Sequence, residues 1–368
     1  MSRAWVIVPL LALAGCAPNP QPALPRAAAY LWKQQGADGG WHSHTYGLLR
    51  SGQSLTPFVL NALLDIPDEV YPQPAAKVDR AVAFLRANIQ HTGALGTADR
   101  DIPDYPNYST ALAVSVLSRA QRPGWEQQVA PMVAYLRGQQ FTEQNGWQPK
   151  DAAYGAWGMG GERRTPPITG HVDLSMTRYV LDALHAAGIA DSDPVFASAR
   201  VFVERCQNFD EQHPDDADGG FFFSTTEEDT NKAGQVDNHF RSYGTTTADG
   251  ILSLLATGHA AGDARVVAAH RWLATRHHDM SVPGFVGPAY QRWPQGLAFY
   301  YSAASMRAFQ VLKVDAGNGV AEGLKRTQHA DGSWANPENL VKEDDPLIAT
   351  PFAVRALVSS GAGLRPAQ

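Results

Sequence analysis

The chain has 368 residues, of which 44% are hydrophobic and 18% are charged, so it can bury a large core and is not a disordered protein. The 30 Lys and Arg residues against 36 Asp and Glu residues give a formal charge of −6, which excludes the basic surface that nucleic-acid binding requires. Its 2 cysteines exclude a disulfide framework and a four-thiolate zinc site.

The N-terminus is predicted to be an export signal. A single Arg3 precedes the apolar run Ala4 to Leu13, which fits a signal-peptide core and is too short to span a bilayer core of ~30 Å. The run ends in Leu13-Ala14-Gly15-Cys16, a motif that resembles the bacterial lipobox, in which the cysteine is acylated and begins the mature chain. We therefore expect residues 1–15 to be a lipoprotein signal peptide and Cys16 to be the lipidation site.

Lipidation would place the protein at a membrane. Two or three acyl chains make a stable anchor, and Ala17, rather than Asp, follows Cys16, which in lipoproteins of didermal bacteria implies the outer membrane. Residues 16–26 contain four prolines and are predicted to form a semi-rigid tether. The alternative is an ordinary secretory signal with an incidental cysteine.

A repeat of roughly fifty residues organises the rest of the chain. A full copy has an amphipathic helix, a glutamine near its end and a turn that ends in glycine and an aromatic residue, and two of the six copies are weaker matches. The six turn positions are Trp41, Gly96, Trp147, Phe221, Phe285 and Trp334. Their spacing leaves room for two helices and two loops in every repeat.

A second helix follows each turn. It begins at a small hydroxyl residue with an apolar residue seven positions later, as in Thr56 and Leu63, Ser109 and Val116, Thr177 and Leu184, Thr247 and Leu254, Ser302 and Phe309 or Ser305 and Leu312, and Thr350 and Leu357. The hydroxyl can cap first-turn N–H groups, and a helix that is apolar on most sides must be covered on most sides. This pattern predicts an all-α fold, an (α/α)6 toroid over residues 27–363 with a tail at 364–368, in which the apolar helices form the inner barrel.

Two long insertions interrupt the repeat. Residues 148–170 and 224–244 each connect an outer helix to an inner one, so both are predicted to lie at one mouth of the ring, where long loops are usually functional. A short hairpin near Phe221-Phe222-Phe223 is the most β structure that we expect.

The Gln…Asp-Gly-Gly-Trp element, clearest around Trp41 and Trp334, resembles the QW-type repeat of terpene cyclases and the related repeat of protein prenyltransferase β subunits, both of which are (α/α)6 toroids. The resemblance covers residues 27–361. Residues 155–161, 242–250 and 331–334 are also similar to small secreted squalene-cyclase-like proteins of bacteria. The resemblance implies a terpenoid cyclase/prenyltransferase-like toroid whose central cavity holds an isoprenoid or another apolar molecule.

The catalytic motifs of these families are incomplete here. Cyclases that begin by protonating an alkene or epoxide have a DxDD motif before the Thr of an inner helix, but this slot reads Asp173-Leu174-Ser175-Met176-Thr177. Asp215-Asp216-Ala217-Asp218 and Glu343-Asp344-Asp345 fit neither DxDD nor DDxxD, and we expect them to be mostly solvated loop charges, with Asp218 belonging to a turn. Cys206 is predicted to be a buried inert thiol rather than a zinc ligand.

No metal or cofactor is expected, since His42 and His44 lack an evident third ligand. Asp173 and Asp249 start adjacent inner helices and are either an acid/base pair or ordinary partners of the helix dipole. Other candidate cavity residues at the predicted mouth are His44, Tyr46, Trp157, Thr177, Asp237, His239, Tyr243, Thr247, Trp293, Tyr300 and Tyr301. The aromatic members suit an isoprenoid or a stacked sugar ring.

Three functions therefore stay open at the level of sequence. The first is a lipid-anchored toroid that binds an apolar molecule, the second a carbohydrate-active enzyme that uses Asp173 or Asp249, and the third a non-catalytic envelope scaffold. A closed cavity lined by Phe, Leu and Tyr favours the first, an open groove with two carboxylates ~5–10 Å apart the second, and a filled cavity the third.

Overall fold

The computed structural model describes residues 22–98, 104–212, 217–237 and 239–362. Within these ranges it contains 13 α-helices and one hairpin, formed by β1 (Gln235–Val236) and β2 (His239–Phe240). The predicted signal peptide, Cys16 and the tail at 364–368 lie outside the described residues.

Six helices form an inner ring: α2 (Leu55–Asp65), α4 (Pro106–Ala120), α6 (Leu174–Ala186), α8 (Gly244–Ala256), α11 (Ala298–Leu312) and α13 (Pro346–Ser359). Each packs against the next in this order, and α13 packs against α2, so the ring is closed. Most residues of α2 and α8 are buried, as helices that are apolar on most sides require. The predicted (α/α)6 toroid is thus confirmed.

Six helices lie outside this ring: α1 (Ala23–Lys33), α3 (Ala75–Asn88), α5 (Trp125–Gln139), α7 (Pro194–Arg205), α9 (Ala264–Ala274) and α12 (Gly319–Thr327), while the short α10 (Trp293–Gly296) precedes α11. Helix α1 begins inside the segment predicted as a tether, and Pro25 is tolerated there because it lies in the first turn. Among the described residues, no helix is long and apolar enough to cross a membrane.

A hydrogen-bonded unit joins each outer helix to the next inner helix. In the first repeat, the Trp41 backbone N–H donates to Thr56 Oγ1 at 3.0 Å and its indole N–H donates to the Leu31 carbonyl at 2.7 Å. Gly39 turns the chain with a φ of 93°, and an added Cβ would approach the Arg80 carbonyl oxygen to 2.4 Å. The glycine and the aromatic residue of the motif therefore join the outer helix to the next inner helix.

The glutamine of the unit connects neighbouring repeats. The Gln35 side-chain amide donates to the Gly39 carbonyl at 3.0 Å and to the Lys77 carbonyl of the next outer helix at 2.9 Å. In the last repeat, Gln328 donates in the same way to the Ala23 carbonyl at 2.9 Å. This bond locks the end of the toroid to its beginning.

The third copy of the unit lies ten residues later than predicted. Trp157, and not Trp147, places its backbone N–H 3.3 Å from Thr177 Oγ1 and donates its indole N–H to the Leu136 carbonyl at 2.7 Å. Trp147 donates instead to the Arg164 carbonyl at 3.0 Å. The residues after α5 form an extra turn whose sequence resembles the motif. The prediction from local sequence therefore identified the wrong tryptophan.

In the second copy, the backbone donor and the hydroxyl acceptor each lie one position away from the predicted residue. The Leu95 N–H donates to Thr110 Oγ1 at 2.9 Å, whereas the predicted hydroxyl, Ser109, donates to the Asp104 carbonyl. In the fifth inner helix, Ser302 donates to the Ala298 carbonyl at 2.7 Å, as Thr177 donates to the Asp173 carbonyl at 2.9 Å. This geometry selects Ser302 over Ser305.

We predict that Thr350→Val destabilises the protein by about 1–3 kcal/mol, because the buried Trp334 N–H, now 3.0 Å from Thr350 Oγ1, would lose its acceptor. Urea denaturation measures the free energy of unfolding. Thr350→Ser keeps the hydroxyl and should recover most of the loss. A valine variant within about 0.5 kcal/mol of the parent protein, the usual range for neutral surface changes, would contradict the proposed role of this bond.

Candidate functional site

A cavity of about 400 Å³ lies at the N-terminal ends of the inner helices, and we call it the mouth cavity. Its wall is mostly apolar and includes Leu49, Leu55, Phe58, Met159, Met176, Phe223, Leu297, Ile348 and Phe352, together with the rings of Tyr105, Tyr108, Tyr179, Tyr243 and Tyr300. The volume falls in the range of roughly 300–1,000 Å³ that small-molecule sites occupy.

Loops before the inner helices build the upper wall of this cavity. The two predicted insertions meet, since Thr225 Oγ1 donates to the Ala152 carbonyl at 2.7 Å, and each insertion contributes to the lining, with Met159 from one and Lys232 from the other. The loop at 335–345 adds Leu340, Val341 and Lys342 to the lining. The prediction that both insertions share one mouth therefore agrees with the structure.

A buried polar cluster centred on Asp249 lies under the cavity. Its carboxylate is 0% exposed and accepts from Ser175 Oγ at 2.7 Å, Tyr300 Oη at 2.5 Å and Arg178 Nε at 3.1 Å. Arg178 also pairs with Asp182 at 2.6 Å. Burial raises the pKa of Asp249, while Arg178 and the two hydroxyl donors oppose the rise.

The Asp249 cluster closes the cavity at its inner end. Ser175 and Tyr300 belong to the lining and Asp249 lies behind them. A separate, more polar cavity of about 530 Å³ occupies the opposite end of the barrel, where Arg119, Arg178 and Arg355 line it. The barrel is thus divided into an apolar mouth and a polar base.

A second polar cluster lies in the cavity wall at the start of α6. Asp173 accepts the Met176 N–H at 2.7 Å and faces His171 Nε2 at 3.0 Å. His171 Nδ1 lies 2.9 Å from a Glu227 carboxylate oxygen. Burial works against the imidazolium, but the two carboxylates outweigh it and raise the pKa of His171. This arrangement favours the protonated form of His171 at the edge of the cavity.

Two lysines add positive charge to the lining. Lys232 Nζ lies 3.4 Å from the centroid of the Phe223 ring and 3.4 Å from the Thr230 carbonyl oxygen. Lys342 Nζ donates to Tyr105 Oη at 3.2 Å and lies 5.7 Å from the Tyr46 ring centroid. Burial lowers the pKa of Lys232 to about 8, although Asp173 opposes this shift.

The run Glu343-Asp344-Asp345 is not a set of solvated loop charges, and that prediction was wrong. Glu343 is 0% exposed and accepts the first-turn N–H groups of α11 from Phe299 at 3.1 Å and Tyr300 at 2.8 Å. Asp345 caps α13 by accepting the Leu347 N–H at 2.9 Å. These carboxylates attach the loop at 335–345 to the rim because helix N-termini favour negative charge.

The buried position of Glu343 predicts a pH dependence of stability. Burial raises its pKa from 4.5 to about 7, against the lowering effect of the Tyr300, Phe299 and Asn336 donors. The folded protein therefore binds this proton more tightly than the unfolded chain does, and stability falls as the pH rises from about 4.5 to about 7. Relative to Glu343→Gln, the parent protein should lose about 3 kcal/mol across this window.

Chemical denaturation at several pH values measures this loss. The difference between the unfolding free energies of the two proteins isolates Glu343 from all other titrating groups. Parallel curves from pH 4.5 to 7 would show that Glu343 is ionised normally in the folded protein.

The structure places the predicted site residues in four groups. Asp173, Tyr243 and Tyr300 line the mouth cavity, and Thr177 and Thr247 are fully buried in the repeat units behind it. Trp157 and Tyr301 are also buried, with Tyr301 Oη 2.7 Å from His277 Nδ1. Tyr46 and Trp293 lie near the two lysines, while His44, Asp237 and His239 are exposed.

Sequence reasoning missed His171, Lys232, Lys342 and Glu343. The first two lie in or next to the insertions predicted to be functional, but nothing in their spacing distinguished them from other loop residues. Cys206 is buried, and burial raises its pKa well above the ordinary value, which favours the inert thiol that we predict.

Comparisons with known proteins identify the fold. No family model and no curated protein sequence matches this chain. A structure of the type II terpene cyclase MstE from Scytonema, a variant in complex with merosterolic acid A as product, has a TM-score of 0.60 at 16% identity, over 93% of this chain and 96% of that chain.

Two further structures are similar over nearly the whole chain. A D-mannose isomerase has a TM-score of 0.57 at 12% identity, over 93% of this chain and 96% of that chain. A protein from Actinoplanes has a TM-score of 0.55 at 16% identity, over 92% and 98%. The chain therefore has the terpenoid cyclase-like toroid fold, which hosts more than one chemistry.

Proposed function

We propose that this protein binds an isoprenoid or a similar apolar molecule in the mouth cavity. The observation that carries the proposal is the cavity itself, which is largely apolar, is lined by Phe, Leu, Met and Tyr side chains and is closed below by the Asp249 cluster. An apolar ligand gains roughly 25 cal/mol for each Å² that it removes from water. The toroid of MstE holds geranylgeranyl dihydroxybenzoate as substrate, which supports the same class of ligand here.

We propose that the cavity binds its ligand and does not start a cyclisation by protonating it. The DxDD slot retains one carboxylate, Asp173, and it faces His171 at 3.0 Å. The imidazolium between two carboxylates is the group that can hold a proton in this wall, and an imidazolium is too weak an acid to protonate an isolated alkene. Both ring nitrogens of His171 already face carboxylates, so this histidine has no further N–H to donate to a ligand.

The carbohydrate alternative has less support. Asp249 is fully buried and engaged by three donors. Asp173 lines the mouth cavity but is engaged by the Met176 N–H and by His171, so neither carboxylate is free to act on a sugar there. A scaffold without a ligand is also less well supported, because the cavity is not filled by the side chains of the protein.

We predict that Ile348→Trp lowers the affinity for a fluorescent isoprenoid analogue by at least about tenfold. Ile348 lines the mouth cavity, and the indole would occupy space that the ligand needs. Val267→Trp, on the exposed side of α9, is the matched control, since Val267 is 45% exposed. Fluorescence titration measures both affinities. Unchanged affinity in a folded Ile348→Trp protein would place the ligand elsewhere.

We also propose that the protein is exported and anchored in the cell envelope through Cys16. The support is the sequence Leu13-Ala14-Gly15-Cys16 after a short apolar run. The first outer helix begins at Ala23, so only a short segment would separate the anchor from the toroid. An anchor so close would keep the toroid beside the membrane from which an apolar ligand could come.

Fractionation of cells that express the Cys16→Ser variant tests the anchor. The parent protein should sediment with membranes and the variant should be released in soluble form, because a single change removes the acylated thiol. Membrane sedimentation that persists in the variant would contradict lipidation at this residue.

A further inference from the structure

We infer that the ligand of the mouth cavity carries an oxyanion head group, a carboxylate or a phosphate, which the ammonium groups of Lys232 and Lys342 bind. This inference rests on the proposed function and adds a polar end to the apolar ligand. It is carried by two cations that line a mostly apolar cavity. Neither of them has a carboxylate partner within 4.0 Å in the described part of the chain.

Lys232 is held in the wall without a strong polar partner. Its ammonium group lies against the face of the Phe223 ring, and its Nζ is 6.0 Å from the centroid of the Trp293 ring. The contact with the Thr230 carbonyl, at 3.4 Å, is long for a charged donor, which normally lies at about 2.7–2.9 Å. One N–H makes this long bond, and the other two have no hydrogen-bond acceptor in the described part of the chain.

Lys342 reaches the same cavity from the loop before α13. It adopts a left-handed backbone conformation with a φ of 67°, and its contact Tyr105 does so with a φ of 45°. Such conformations cost energy for residues other than glycine. The loop nevertheless directs Lys342 Nζ to Tyr105 Oη at 3.2 Å, across the mouth from α13 to α4.

The nearby acids are already engaged by other partners. Asp173 and Glu227 share the His171 imidazole at 3.0 and 2.9 Å. Asp344 accepts from the Tyr46 hydroxyl, and Asp345 accepts from Ser43 at 2.5 Å. In the cavity lining, the two lysines outnumber the one carboxylate, Asp173. A ligand anion would neutralise this excess through charge-assisted hydrogen bonds.

Four probes with one C15 tail separate the head group from the tail. The set is farnesoic acid, its methyl ester, farnesyl monophosphate and farnesylamine, each titrated calorimetrically against the full chain. We expect the acid or the monophosphate to bind at least about tenfold tighter than the ester, the difference that one charge-assisted contact supplies. The amine should bind most weakly. The tighter of the two anions identifies the oxyanion.

Single substitutions assign the effect to the lysines. Lys232→Gln and Lys342→Gln should each weaken the preferred anion by about tenfold and leave the ester unchanged, while Lys232→Arg should retain part of the preference. Lys33→Gln, an exposed lysine on α1, is the control and should change nothing. Thermal unfolding checks that each variant is folded.

The outcomes distinguish the two proposals. If the ester binds as tightly as both anions, or if both lysine variants bind the preferred anion as the parent does, the head-group inference is overturned and the apolar site stands. If no probe binds the folded parent protein, the proposed function fails and this inference fails with it.

Discussion

Six inner helices that are apolar on most sides can be covered only if the last of them packs against the first. Helices α13 and α2 make this contact, and the Gln328 bond to the Ala23 carbonyl reinforces it from outside. Because the ring closes, all loops that lead into inner helices converge on one mouth. The position of the cavity, of both insertions and of the loop at 335–345 follows from this closure.

A closed ring of helices alone would leave an open channel along its axis. The Asp249 cluster closes this channel at one end and so makes it a cavity. Burying a charged group is costly unless its hydrogen bonds are satisfied. Asp249 meets this condition with Ser175, Tyr300 and Arg178, while Arg178 extends the network to Asp182. The apolar space above the cluster is therefore finite and separate from the polar base of the barrel.

The sequence predicts the toroid because its repeat is local: a helix end, a glycine turn and an aromatic residue lie within one short segment. It cannot choose between Trp147 and Trp157, since both follow a plausible turn and only the distant Thr177 distinguishes them. The site is harder to predict because its residues come from segments that are distant in sequence. The roles of Lys232, Lys342 and Glu343 depend on loops that fold over the mouth. From sequence alone Glu343 is expected to be solvated, and only its contact with α11 shows that it is buried.

The central claim is that the mouth cavity holds an apolar molecule with a defined place in the barrel. A crystal structure of the protein grown with farnesoic acid tests this most directly. We expect density for an extended chain between Phe352 and Phe223, ending near the lysines. An experimental structure in which water or repacked side chains fill this space, with the ligand absent or bound on the outer surface, would contradict the account.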